Sequence, residues 1–233
     1  MSPSPTSLAA PRGSAPATRE ELLGFLIGYC QLLAAVYEAR GQAPPARPVP
    51  LSFRSLRRNG VSERALQWAL YQAHADHFDA GPGANGGGWR VRPSAVVGET
   101  SAFALTDAGA AFAELLVGHL LLSQSDDELA WAWGLLRVGE LTPSYVPRQR
   151  LLAWGRHALK SYRQPSENQE MILQAAEELG WPRHFDDPLP RVRWGNPKVR
   201  LHDAIKYLNR HQSPHLVQFR GDGTGTRVGW ELR

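Results

Sequence analysis

The chain has 233 residues, a formal net charge of +4 and one cysteine. That length suits two domains of about 80–100 residues, each able to bury a core, and the lone Cys30 excludes an internal disulfide framework or a multi-cysteine zinc site, in keeping with a reducing cytoplasm. The charge is unevenly placed: residues 147–233 hold fifteen Lys and Arg against nine Asp and Glu, while the remainder holds eleven against thirteen, so an anionic partner is expected at the C-terminal third.

Residues 1–17 carry prolines among Ser, Ala and Gly with little to bury, and are expected to form a disordered tail. Thr18 with Glu21 makes a capping-box pattern that opens a helix predicted over Arg19–Arg40, stopped by Gly41 and the prolines beyond. Leu22, Leu23, Phe25, Leu26, Ile27, Leu32, Leu33 and Val36 make this helix apolar nearly all round, so two surfaces must cover it, its own domain and a second copy in a homodimer. Cys30 reads as a core side chain. The apolar run contains Gln31, follows Arg19-Glu20-Glu21 and is shorter than the roughly 20 residues of a membrane span. No basic leader with a small-residue cleavage site precedes it. A cytoplasmic protein away from membranes is the expectation.

Prolines between positions 44 and 50 enforce an extended connector, and residues 51–56 read as a short helix ending at Asn59-Gly60. Ser62 caps a helix predicted to run to about His77, with Ala65 or Leu66, Ala69 or Leu70, and Ala73 inward, and Arg64, Gln67 or Trp68, Tyr71 and His74 outward. His74 and His77 then stand at a polar helix terminus; no third ligand stands at a metal-binding spacing. A glycine-rich tip, residues 81–88, leads to Trp89-Arg-Val-Arg92 and a strand over Ser101–Leu105. Next comes Phe103-Ala-Leu-Thr-Asp-Ala-Gly109, in which Phe103 and Leu105 alternate into the core, Thr106 can cap a helix over 110–122, and Gly109 allows close packing. Over residues 51–122 the chain resembles winged-helix regulators of the multiple-antibiotic-resistance type, in which the second wing strand runs into a Leu-Thr-x-x-Gly turn and a helix.

Residues 124–146 form an acidic spacer with Asp126, Asp127, Glu128 and Glu140 against Arg137. A small hairpin flanking Gly155 is expected from residues 150–154 and 157–162. Ser166 with Gln169 reads as another capping box opening a helix to Gly180, residues 182–190 as a loop, and Asn196-Pro197 as the start of a helix over 198–211. That helix should bury Leu201, Ala204 or Ile205, and Leu208. Residues 216–220 and 226–232 alternate around the tip Gly221-Asp-Gly-Thr-Gly225 as a final hairpin. The order hairpin, helix, loop, helix, hairpin over 148–233 is similar to the winged-helix effector domains of response regulators. The resemblance implies that the helix before the last hairpin lies in the DNA major groove and that the hairpin touches phosphate. No receiver domain precedes it, so phosphorelay control is not carried over.

The expected fold is therefore α+β: a tail (1–17), a first winged-helix domain with its long leading helix (18–122), an acidic linker (123–146) and a basic second winged-helix domain (147–233). The expected function is non-enzymatic DNA binding, transcriptional or otherwise regulatory. Double-stranded DNA would be the partner, and no cofactor or metal is called for. Lys198, Arg200, His202, Lys206, Asn209 and Arg210 would face bases and phosphates, Arg220 and Arg227 on the hairpin would meet phosphate, and Arg191 and Arg193 would extend the footprint. Arg64, Gln67, Tyr71 and His74 offer a second contact to DNA or to protein. The competing class is a protein-interaction adaptor whose basic face meets an acidic partner. A nuclease would need Asp186 and Asp187 to converge with a further acid. Catalysis finds no Gly-x-Ser-x-Gly elbow and no base near Cys30.

Overall fold

A computed structural model describes residues 19–42, 49–79, 89–122, 141–190 and 196–233, and these form a mixed α+β structure with six helices and three small antiparallel sheets. The proline-rich tail, Thr18, the glycine-rich tip 81–88, most of the acidic spacer, and Arg191 and Arg193 lie outside the described residues.

The first unit opens with α1 (Arg19–Arg40), as predicted. It buries Phe25, Tyr29, Leu32, Leu33 and Val36, but Cys30 is exposed rather than in the core, because it lies on the side of α1 turned away from its neighbours. After the short strand β1 (Leu51–Ser52) come α2 (Phe53–Arg58) and α3 (Glu63–Tyr71). The Ser52 and Ser62 hydroxyls accept the backbone N–H of Ser55 and Ala65, each at 3.2 Å, which satisfies donors at both helix starts.

Helix α3 ends six residues earlier than the sequence suggests. Ala73 adopts φ +55°, its N–H reaching the Leu70 carbonyl and that of His74 the Ala69 carbonyl, the paired bonds of a left-handed C-terminal cap. Residues 75–79 then form β2 (Ala75–Asp79) instead of a further helical turn. With β3 (Arg90–Val91) and β4 (Ser101–Leu105) the sheet order is β1-β4-β2-β3. The turn after β4 seats on the end of α3: Thr106 Oγ1 accepts the Gly109 N–H at 3.0 Å and donates to the Ala73 carbonyl at 2.9 Å. A Cβ on Gly109 would lie 1.8 Å from the His74 carbonyl oxygen, so only glycine fits at the start of α4 (Asp107–Leu122).

The second unit begins with a three-stranded meander, β5 (Pro143–Val146), β6 (Leu151–Trp154) and β7 (His157–Ser161). Strand β5 lies where the sequence suggests the end of the acidic spacer. Helix α5 (Glu167–Glu178) follows, but the predicted capping box is absent. Ser166 offers no side-chain cap; its own N–H goes to Glu170 at 2.7 Å, while Gln169 receives the Lys160 ammonium at 3.0 Å. Glu170 also takes a two-pronged contact from Arg150, at 3.0 and 2.5 Å, and the Tyr145 hydroxyl at 3.0 Å, so it ties α5 to the meander. The expected loop at 182–190 contains a strand, β8 (His184–Asp186). Helix α6 (Pro197–Asn209) and the hairpin β9 (Val217–Gly221) and β10 (Arg227–Leu232) complete the chain, with sheet order β8-β10-β9. Buried residues of both units form one contiguous cluster, from Phe25 and Trp68 through Trp154 to Leu208 and Trp230.

Candidate nucleic-acid interface

Helix α6 is built as its sequence foretells. The Asn196 side chain accepts the Lys198 N–H at 3.0 Å and Pro197 occupies the first turn. Leu201, Ala204, Ile205 and Leu208 are all buried, facing the side of the terminal sheet that carries Val217, Phe219 and Val228. Steps of four residues advance about 40° around a helix, so Lys198, His202 and Lys206 trace an oblique band from the hairpin flank towards the side opposite the core, and Arg210 continues it at the C-cap just beyond the last helical residue. All four are exposed, and none forms an ion pair with a carboxylate among the described residues. Arg210 rests over the Tyr207 ring at 5.3 Å. Asp203, also exposed, is the one acid on α6.

The basic band has two borders. Towards the hairpin, the tip folds back on the start of α6, since a Cβ on Gly225 would lie 2.8 Å from the Lys198 side chain. Asp222 organises the tip by accepting the Thr224 and Gly225 N–H groups at 3.0 and 3.1 Å and the Thr224 hydroxyl at 2.5 Å; the Thr224 hydroxyl above all holds its carboxyl well below the usual carboxylate range. Towards α5, an open groove of about 710 Å³ is lined by Ser166, Asn168, Gln169, Val199, Arg200 and Tyr207. Val199 and Tyr207 are 53% and 50% exposed there.

The other predicted residues of this unit are placed differently. Arg200 is half-buried and donates to the Pro190 carbonyl. Asn209 uses both polar atoms of its carboxamide on the Phe219 peptide, each at 2.8 Å. Arg220 and Arg227 occupy the face of the hairpin opposite Phe219 and Val228, hence away from α6. Each meets an acid, Arg220 with Glu231 at 2.5 Å and Arg227 with Asp186 at 3.2 Å. The basic residues of the second unit are thus divided between two faces.

No family model, curated protein or solved structure matches the chain.

Sequence reasoning missed Lys160. Its ammonium donates to the Tyr207 carbonyl in the last turn of α6 and lies 5.0 Å from the Tyr162 ring. A cation is favoured at a helix C-terminus, while burial lowers its pKa to about 8. Only the tertiary approach of β7 to α6 brings it there; nothing local in the sequence signals it.

In the first unit the predicted contact residues do not share an outward face. Arg64 is exposed, Gln67 is half-buried and bonded to Glu63 at 3.1 Å, and Tyr71 packs edge-on to Trp154 with ring centres 5.1 Å apart. His74 and Trp68, read as outward, are buried. The early end of α3 turns the His74 ring inward onto Phe112, with its Nδ1 2.8 Å from the Tyr29 hydroxyl. Burial, with a smaller contribution from Arg156, lowers its pKa to about 4. His77 is likewise buried within the sheet rather than at a helix terminus: its Nδ1–H donates to the Ser94 carbonyl at 2.8 Å, and its Nε2 accepts from the Ser101 hydroxyl at 2.7 Å. Asp187 accepts the Leu189 N–H at 2.9 Å in a turn. Among the described residues no group of three or more His, Cys, Asp or Glu is placed to hold a metal ion, and no helix is long and apolar enough to cross a membrane.

Proposed function

We propose that this protein binds double-stranded DNA as a non-enzymatic regulatory factor, with α6 as the reader. The observation that carries this reading is the band Lys198, His202, Lys206 and Arg210, which is exposed, free of carboxylate partners among the described residues and displayed along a helix capped at its start by Asn196 and ending at Arg210. Counterion release rewards cations that arrive at phosphate unpaired, and Lys and Arg also reach guanine edges in the major groove.

The element order supports the reading. In the first unit β1, α2, α3, β2, β3 and β4 follow one another, with β1 beside β4 and β4 beside β2. In the second, α5, β8, α6 and the β9–β10 hairpin follow with β8 beside β10. The first order, with two helices between β1 and β2, fits a winged helix. The second shares the helix-before-hairpin arrangement, with α6 alone between β8 and the hairpin among the described residues, and it is the helix before the hairpin that docks in the major groove of such domains. A cytoplasmic location, and pairing of two copies through the side of α1 that leaves Ile27 and Tyr37 exposed, belong to the same proposal.

A second reading, a protein-interaction adaptor, is favoured by the exposed Val199 and Tyr207 beside the α5–α6 groove. Selection from random-sequence duplexes separates the two: a DNA reader enriches a motif, and an adaptor returns unenriched sequence.

A further inference from the structure

Two helices precede a hairpin in this chain, α3 and α6, and the second unit treats them very differently. At the end of α3 the Tyr71 carbonyl, which the helix leaves without an internal partner, and the Leu70 carbonyl, which also accepts the Ala73 N–H, are both met by the turn between β6 and β7. The Arg156 N–H donates to the Tyr71 carbonyl at 2.9 Å and the His157 Nε2–H to the Leu70 carbonyl at 2.6 Å. Just before them Gly155, at φ +57°, comes so close that a Cβ would stand 2.0 Å from the Tyr71 oxygen. The Tyr71 ring meets the fully buried Trp154 edge-on.

Further along the same face, Arg64 and Gln67 form one wall of a cleft of about 700 Å³, and Trp181, Arg183 and Trp230 of the second unit line the cleft with them. Arg183 stacks over Trp230 at 4.1 Å. A third strap joins the chain end to the first unit, where the Ala95 N–H donates to the Arg233 carbonyl at 2.7 Å. A reader helix needs clearance on both flanks to enter a major groove about 12 Å wide, and α3 has the second unit along it.

We propose that the outward face of α3 is the docking surface for the chain's own second unit, so that the protein presents one reader helix, α6, on a rigid two-unit body. The naming of α6 rests on the DNA-binding reading above; the docking role of α3 stands on the contacts at Tyr71, Leu70 and Gly155 alone. Arg64, Gln67, Tyr71 and His74, which as a sequence suggest a second contact to nucleic acid, then serve the fold and the junction.

Two measurements on the full chain test this separately. Hydrogen–deuterium exchange of Gly155→Ala should show protection falling at least tenfold in both residues 66–72 and residues 154–158, while residues 201–208 keep theirs. Loss confined to 154–158 would show that α3 does not depend on the second unit and overturn the proposal. His157→Ala, which removes the donor to the Leu70 carbonyl together with the ring stacked on Trp154, should speed exchange on the same two segments to a smaller degree, and it decides the matter if Gly155→Ala does not fold. In duplex binding, Arg64→Ala with Gln67→Ala should change affinity less than twofold, and a tenfold loss would restore α3 as a reader. If Lys206→Ala with Arg210→Ala binds normally while Gly155→Ala exchanges as described, the reader assignment fails and the docking surface stands.

Discussion

The carboxamide of Asn209 holds both polar atoms of the Phe219 peptide, donating to the carbonyl and accepting the N–H at 2.8 Å each. Strand β9 is an edge of its sheet, and an open edge invites pairing with another chain; Asn209 closes it at Phe219. The residue is thereby committed to the fold. Asn209→Ala should lower unfolding free energy by about 1–3 kcal/mol, since two backbone groups lose their partner, and leave duplex affinity within twofold where both proteins are folded. Denaturant titration with a binding isotherm checks both, and unchanged stability with a tenfold weaker complex would place Asn209 at bases instead.

Glu170 makes stability depend on acid. The Arg150 guanidinium above all, helped by the Ser166 N–H and the Tyr145 hydroxyl, lowers its pKa to about 2. A carboxyl that is more acidic in the folded state contributes fully above its unfolded pKa of about 4.5, and that contribution is lost as pH falls towards 2. Glu170→Gln should therefore be less stable than the parent by about 1–3 kcal/mol at pH 7, with the gap narrowing at pH 3. Urea midpoints at the two pH values test it; a gap independent of pH would mean that the charge is not what matters.

His74 acts in a higher window. Burial holds the folded ring neutral, with a pKa of about 4, so the unfolded chain binds the proton more readily. Its contribution is complete above about pH 6.5 and is lost as pH falls towards 4, roughly 2–3 kcal/mol in all. His77, lowered chiefly by burial, acts in the same direction. His74→Gln keeps a polar partner for the Tyr29 hydroxyl and should flatten the decline in stability between pH 6.5 and 4. A variant that declines as steeply as the parent would assign that slope to other groups.

The hairpin arginines should matter little for DNA. Arg220 and Arg227 sit opposite Phe219, away from α6, and are paired with Glu231 and Asp186. Arg220→Ala with Arg227→Ala is expected to weaken duplex binding less than threefold in fluorescence anisotropy. A loss matching that of the α6 double variant would mean that the hairpin face is part of the interface.

Much of this architecture is legible in the residues. Asn196-Pro197 fixes the start of α6, and the spacing of Leu201, Ala204, Ile205 and Leu208 fixes its buried side. The run through Thr106 and Gly109 marks the seat of α4. The end of α3 escapes notice because Ala73 fills a left-handed cap position at which glycine is usual, and the helix-compatible residues beyond it become β2. Strand β8 is only three residues long, and β5 begins with a proline, which sequence patterns assign to loops. The placement of Arg220 and Arg227 was available from alternation alone, since residues flanking Phe219 must face away from it. The roles of Lys160, Asn209 and Gly155 were not available, because each acts on a backbone group far away in sequence.

The most direct measurement is the affinity of Lys206→Ala with Arg210→Ala for a random-sequence duplex across a salt series, beside its thermal transition. Both side chains are exposed and neither is ion-paired among the described residues, so folding should be nearly unchanged. Binding at moderate salt should fall at least about tenfold, and the dependence of log affinity on log salt should flatten by up to about two phosphate contacts. Undiminished affinity with an unaltered salt slope would take α6 out of the interface and leave the exposed band without its proposed role.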